Sequence, residues 1–110
     1  MSYGERDVMA RVERLTIREL RNWVREGWVR PAQGEDGPFF DDLDIARVRL
    51  LCDLRKDMAI AGDTIPVILS LIDRLHKSQR EFRMLQQALD EQPEDLRLAV
   101  INSYESIRKP

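Results

Sequence analysis

The sequence has 110 residues, of which 43% are hydrophobic, enough for one compact domain with a core of modest size. Its 18 Lys and Arg against 20 Asp and Glu give a net charge of -2, whereas an autonomous DNA-binding domain usually carries a basic excess, so a nucleic-acid partner is disfavoured. There is no apolar run of about 18 residues, no signal-peptide pattern, and only one Cys and one His, so we expect a cytoplasmic protein without a membrane span, metal or cofactor.

Two short helices are predicted in the first 27 residues. The first covers residues 5–12. Thr16 followed by Glu19 is a capping-box pattern, because the hydroxyl can accept from the backbone three residues on while the carboxylate reaches back. A second helix therefore begins at Ile17, and Gly27 suits the left-handed position that ends it.

A small hairpin is predicted next. Its two arms are residues 28–31 and 39–40, and Gly34 and Gly37 supply the backbone freedom of the turn between them. Pro38 sits at a strand edge, where a missing N–H is tolerated.

Three more helices are predicted after the hairpin. Asp41 or Asp42 caps the third, whose apolar stripe is Ile45, Val48, Leu51, Leu54 and Met58. The fourth is roughly 37 Å long and ends before Pro93. Its apolar seam is too long for one small domain to cover, which predicts a homodimer through Ile68, Ile72, Leu75 and Phe82. Residues 94–108 form the last helix.

The order of these elements predicts the fold class. A winged helix-turn-helix has this order: two helices, a hairpin, and then a helix that begins at acidic caps. The predicted fold class is therefore a mainly α winged helix-turn-helix with a small β-hairpin wing. We expect residues 1–62 to form this module and residues 63–110 to add the long helix and the C-terminal helix, packed with it as one domain.

Two sets of residues carry a family resemblance. The first set resembles the N-terminal module of MerR-type regulators and comprises Leu20, Arg21, Trp23, Gly27, Phe40, Asp41, Asp42, Asp44, Ile45, Leu51, Leu54 and Arg55. The second set more closely resembles the CbpM family of chaperone modulators, which are MerR-like proteins without an effector domain; it comprises Phe40, Asp41, Asp42, Leu54, Arg55, Ile65, Val67, Leu69, Leu71 and Asp73. The similarity covers about residues 12–89.

The CbpM resemblance implies a partner. Such proteins bind the J-domain of a DnaJ-like co-chaperone of the CbpA type and restrain its co-chaperone and DNA-binding activities. The resemblance assigns partner contact to Phe40, Asp41, Asp42 and Asp44, which would meet the basic second helix of the J-domain. The alternative for the three acids is a helix cap with favourable dipole charges, since one cap needs only one Asp.

The MerR resemblance implies a different function, DNA-binding transcription regulation. Arg18, Arg21 and Arg25 of the second helix would face phosphates or base edges, although a solvated face interleaved with acids fits them as well. The wing departs from the MerR pattern, because Pro38 stands where an Arg is expected.

The remaining residues point to packing and not to catalysis. Trp23 and Trp28 are expected to anchor helix against wing, and Cys52 to be a small buried residue. No phosphate-binding Gly-rich loop and no nucleophile beside a His and an acid is present, so we expect no enzyme activity.

Overall fold

The computed structural model describes residues 1–109 and confirms a mainly helical winged helix-turn-helix. Its elements in chain order are α1 (Glu5–Arg11), α2 (Ile17–Arg25), β1 (Ala32–Gly34), β2 (Gly37–Phe39), α3 (Asp42–Cys52), a π-helical turn (Asp53–Asp57), α4 (Ile65–Asp90) and α5 (Glu94–Arg108). No helix in residues 1–109 is both long and apolar enough to cross a membrane.

The predicted signals that begin and end α2 are confirmed. The Glu19 N–H donates to the Thr16 hydroxyl at 3.1 Å, and the Thr16 N–H donates to the Glu19 carboxylate at 2.9 Å. Gly27 follows the helix with a φ of 79°, a conformation that an L side chain would strain.

The hairpin is shorter than predicted. Its strands pair antiparallel, with Ala32 opposite Phe39 and Gly34 opposite Gly37, around a turn at residues 35–36. The prediction that residues 28–31 form its first arm is wrong. Trp28 is instead a core residue whose N–H donates to the Trp23 carbonyl at 2.9 Å, so this part of the chain closes the end of α2 before the strand begins.

One buried cluster holds Met1–Ser70 together as a compact unit. The predicted core positions Trp23, Trp28 and Cys52 are confirmed as buried. The full cluster is Tyr3, Val8, Val12, Leu15, Leu20, Trp23, Trp28, Val29, Phe40, Ile45, Val48, Leu51, Cys52, Leu54, Ile65 and Leu69.

The apolar stripe of the third helix ends earlier than predicted. Four of its five members are buried, but Met58 is 61% exposed. The α-helical hydrogen bonds give way to a π-helical turn after Cys52, and Ala59 then takes a φ of 53°, which turns the chain away. Periodicity counted at 3.6 residues per turn therefore fails at this position.

The first turns of α4 belong to this same unit, where Ile65 and Leu69 are buried. The residues from Leu71 onward group into a second unit made of the rest of α4 and of α5. That residues 63–110 pack with the module as one domain stays a prediction.

Candidate functional site

The acidic start of α3 is built by a reciprocal cap. The Asp44 N–H donates to the Asp41 carboxylate at 2.8 Å, and the Asp41 N–H donates to the Asp44 carboxylate at 3.0 Å. Burial raises the pKa of Asp44, and the nearby Asp41 carboxylate adds to the rise, while the Asp41 N–H opposes it. Asp41 and Asp44 therefore have a structural role, whatever else they contact.

Asp42 has a structural partner that no sequence pattern indicates. The Tyr3 hydroxyl donates to the Asp42 carboxylate at 2.8 Å, and this bond is the main cause of the raised pKa of Tyr3. The backbone of Tyr3 exchanges two hydrogen bonds of 2.7 Å with Phe40, and the Arg11 guanidinium lies 4.5 Å from the Tyr3 ring centre. Residues 39 positions apart in the sequence thus meet at the start of α3.

The expectation that Phe40 contacts a partner is corrected by its position. Its side chain is 1% exposed and belongs to the core, because its backbone pairs with Tyr3 and turns the ring inward. Leu43, three residues after Phe40, is 64% exposed, so its apolar side chain is accessible to a partner.

The turn of the wing carries two further exposed acids shortly before this helix start in the chain. Glu35 and Asp36 form the exposed turn of the hairpin, and the path from Asp36 to Asp41 along β2 is at most about 17 Å. We call Glu35, Asp36, Asp41, Asp42 and Leu43 the acidic surface. All five are exposed, and four of them are acids.

The structure separates the three arginines of α2. Arg21 pairs with Glu5 at 3.0 Å, and this contact raises its pKa. Arg18 and Arg25 instead line an open cleft of about 530 Å³ beside the π-helical turn, together with Arg55 and Lys56. We call these four residues the basic cleft; its other lining residues are Glu19, Asn22 and Trp23.

Ion pairs hold the wall of the basic cleft. Arg14 bonds to Asp53 at 2.7 Å and to Asp57, and hydrogen bonding to these two carboxylates raises the pKa of Arg14. Lys56 contacts Glu19 at 3.1 Å and the Arg14 carbonyl. These contacts fix the π-helical turn against the start of α2.

The predicted dimer seam is divided between the two units. Ile68 packs against the core of the first unit, so it is not a free seam residue. Ile72 is half-buried, and Leu75 and Phe82 are exposed in the second unit. The dimer itself stays a prediction.

Metal and thiol chemistry gain no support within residues 1–109. No group of three or more His, Cys, Asp or Glu side chains in this range is placed to hold a metal ion. Burial raises the pKa of the Cys52 thiol, which disfavours its reactive thiolate form.

A helix-turn-helix followed by a hairpin wing defines a class of protein that presents helix and wing to a partner. A family model described as MerR HTH family regulatory protein matches residues 7–87, and the chain belongs to this family. No curated protein matches the chain. Helix α5 lies beyond the matched residues.

Proposed function

We propose that the protein is a cytoplasmic modulator, not an enzyme, that binds the J-domain of a DnaJ-like co-chaperone of the CbpA type. In this proposal it restrains the co-chaperone and DNA-binding activities of that partner. The acidic surface is the observation that carries the proposal, because four exposed acids precede an exposed leucine in the chain, and such a set complements a basic helix. The resemblance of residues 12–89 to the CbpM family supports the identity of the partner.

The corrected position of Phe40 changes which residue supplies the apolar contact. A residue that contributes strongly to the binding free energy has a side chain that becomes shielded from water on binding. A side chain in the core is already shielded from water before binding. We assign this role to Leu43, which is flanked by Asp42 and Asp44. The acids would mainly speed association, and Leu43 would slow dissociation.

The wing argues for a protein partner over DNA. Its turn carries Glu35 and Asp36, whose charges oppose a phosphate backbone. The backbone clamp expected two residues before Phe40 is replaced by Pro38, which has no charge and no N–H.

The test is a titration of the full chain with the isolated J-domain of a CbpA-type co-chaperone. We expect Leu43→Ser and the double variant Glu35→Gln/Asp36→Asn each to weaken binding by on the order of tenfold. The effect of the double variant, but not that of Leu43→Ser, should shrink in high salt. Glu35 and Asp36 are used because Asp42 bonds Tyr3 and a charge reversal there would disturb the fold.

Glu13→Gln is the matched control, since Glu13 is exposed between α1 and α2 and away from the acidic surface in sequence. It should leave binding unchanged. Full-strength binding by a folded Leu43→Ser variant would reject this contact surface, and no binding by the unmodified chain would reject the partner.

DNA-binding transcription regulation is the second candidate, and the basic cleft is the observation that favours it. Arg18 and Arg25 of α2, the helix that a winged helix-turn-helix presents, converge there with Arg55 and Lys56 of the π-helical turn. A mobility shift with duplex DNA, run beside the J-domain titration, separates the two candidates.

A further inference from the structure

The basic cleft concentrates positive charge in a chain whose net charge is -2. Arg18, Asn22 and Arg25 line it from α2, where spacings of four and three residues place them on one face of the helix. Arg55 and Lys56 line it from the π-helical turn, a feature that is frequent at functional sites. The cleft therefore receives cations from two separate elements.

Three of the four cations in the cleft have no carboxylate partner. Glu19 is the only acid among residues 1–109 that lines the cleft, and it pairs with Lys56 at 3.1 Å, so these two charges offset each other. Arg18, Arg25 and Arg55 make no ion pair within the same residues. The three guanidiniums leave an excess of positive charge, so the ligand that complements the cleft is an anion.

Part of the cleft is held in place before any ligand binds. The Arg55 guanidinium donates to the Ile60 carbonyl at 2.6 Å and lies 5.9 Å from the Trp28 ring centre. A guanidinium has five N–H donors, so most of those on Arg55 stay available. Because the side chain is already positioned, it loses less conformational entropy when a ligand binds.

The size and lining of the cleft favour a small ligand. Its volume of about 530 Å³ lies within the range of about 300–1,000 Å³ that is typical of small-molecule sites. Trp23 lines the cleft but is 3% exposed, so it offers no free ring face on which a base could stack. The ligand is therefore recognised through its charged groups.

The charge and geometry of the three arginines favour phosphoryl groups. Guanidiniums bind phosphate and carboxylate oxygens in a bidentate manner, but a phosphoryl group offers three acceptor oxygens where a carboxylate offers two. Two phosphoryl groups carry about three to four negative charges at pH 7, which matches three unpaired arginines. A diphosphate thus satisfies the charge and the donors of the cleft within a small volume.

We propose that the basic cleft binds the diphosphate group of a small molecule, held by Arg18 and Arg25 of α2 and by Arg55 of the π-helical turn. The bound group links these two elements. None of the three arginines belongs to the acidic surface, so the site is independent of J-domain binding. It also differs from a DNA contact, because the ligand binds in the cleft without any contribution from the wing.

The test is a calorimetric titration of the full chain with inorganic pyrophosphate at about 150 mM salt. We expect one pyrophosphate per chain with a dissociation constant below about 100 µM. Arg18→Ala and Arg25→Ala should each raise this constant about tenfold or more, because each removes a charge-assisted contact. Arg21→Ala is the matched control, since it removes the same charge from the same helix, but Arg21 pairs with Glu5 outside the cleft. It should leave the constant unchanged.

Further arms of the titration define the ligand. Arg25→Lys keeps the charge but loses the planar fork, so it should also weaken binding. ADP carries a diphosphate on a nucleoside, and a comparison with pyrophosphate shows whether the nucleoside adds to binding. Citrate supplies carboxylates in place of phosphoryl groups and should bind more weakly than pyrophosphate.

Two further measurements keep the result interpretable. A circular-dichroism melt shows whether each variant is folded, and pyrophosphate should slow amide hydrogen exchange in Asp53–Asp57 of the unmodified chain. No pyrophosphate binding, an equal loss in Arg21→Ala, or equal binding of citrate would overturn the proposal. Tighter binding of duplex DNA at the same phosphate concentration would also overturn it and would assign the cleft to DNA.

Discussion

The Tyr3 hydroxyl adds a bond to Asp42 to the two backbone bonds that join Tyr3 to Phe40 beside the start of α3. Removing it in Tyr3→Phe leaves the ring in the core but takes away the bond to Asp42. We expect a loss of about 1 kcal/mol in the free energy of unfolding, measured by urea denaturation followed through tryptophan fluorescence. Tyr104→Phe, which removes a hydroxyl from an exposed tyrosine of α5, is the control. Equal stability of the two variants would show that the Tyr3–Asp42 bond contributes nothing.

Phe40 is a second residue whose role is set by its burial. The sequence position of Phe40 beside an acidic cap predicts a contact with a partner, but its ring lies in the core. A substitution there would lower binding by unfolding the module, since replacing a buried Phe by Ala costs about 3–5 kcal/mol. Leu43 is exposed, so a substitution there tests the proposed binding without removing a core side chain.

At the scale of elements, the start of α2 depends on a carboxylate. Burial acts to raise the pKa of Glu19, but hydrogen bonds from the Thr16 N–H and Lys56 outweigh it, so the pKa is lowered in the folded protein. Because the pKa of Glu19 is lower in the folded than in the unfolded protein, its ionised form stabilises the fold at pH values above the unfolded-state pKa. This stabilisation is lost as the pH falls through the folded-state pKa. The same carboxylate links the capping box of α2 to the π-helical turn.

Glu19→Gln tests this linkage. We expect it to lower the free energy of unfolding by on the order of 1 kcal/mol at neutral pH, with the difference from the unmodified chain vanishing in acid below the ordinary Glu range. Glu13→Gln serves as the reference, because Glu13 lies in the turn just before this cap. A Glu19→Gln deficit that stays constant from neutral to acid pH would contradict the role of the charge.

At the scale of the whole molecule, a net charge of -2 disfavours duplex DNA as a partner. We expect no sub-micromolar binding to generic duplex DNA at about 150 mM salt, because few counterions would be released.

Should weak binding appear at low salt, Arg18→Ala and Arg25→Ala should each reduce the salt slope by about 1, while Arg21→Ala should not, since Arg21 is paired with Glu5 outside the basic cleft. Tight binding with a steep salt slope would favour the regulator candidate.

The sequence by itself determined the local features of this protein. The capping box at Thr16 and the left-handed Gly27 were predicted correctly, and the cap at Asp41 is one of the two predicted alternatives, Asp41 or Asp42. Each depends on atoms three or four residues apart, so the chain carries the needed information locally. The winged order of elements followed, because hydrophobic periodicity and turn residues act over the same short range.

Only the tertiary structure decided which side chains remain free to act. It buried Phe40, bound Asp42 to Tyr3, placed Ile68 against the core and divided the α2 arginines between an ion pair and a cleft. The π-helical turn likewise shifted the register beyond Cys52 and exposed Met58. Each outcome depends on contacts between residues far apart in the chain, and neither residue type nor spacing specifies which distant surfaces meet.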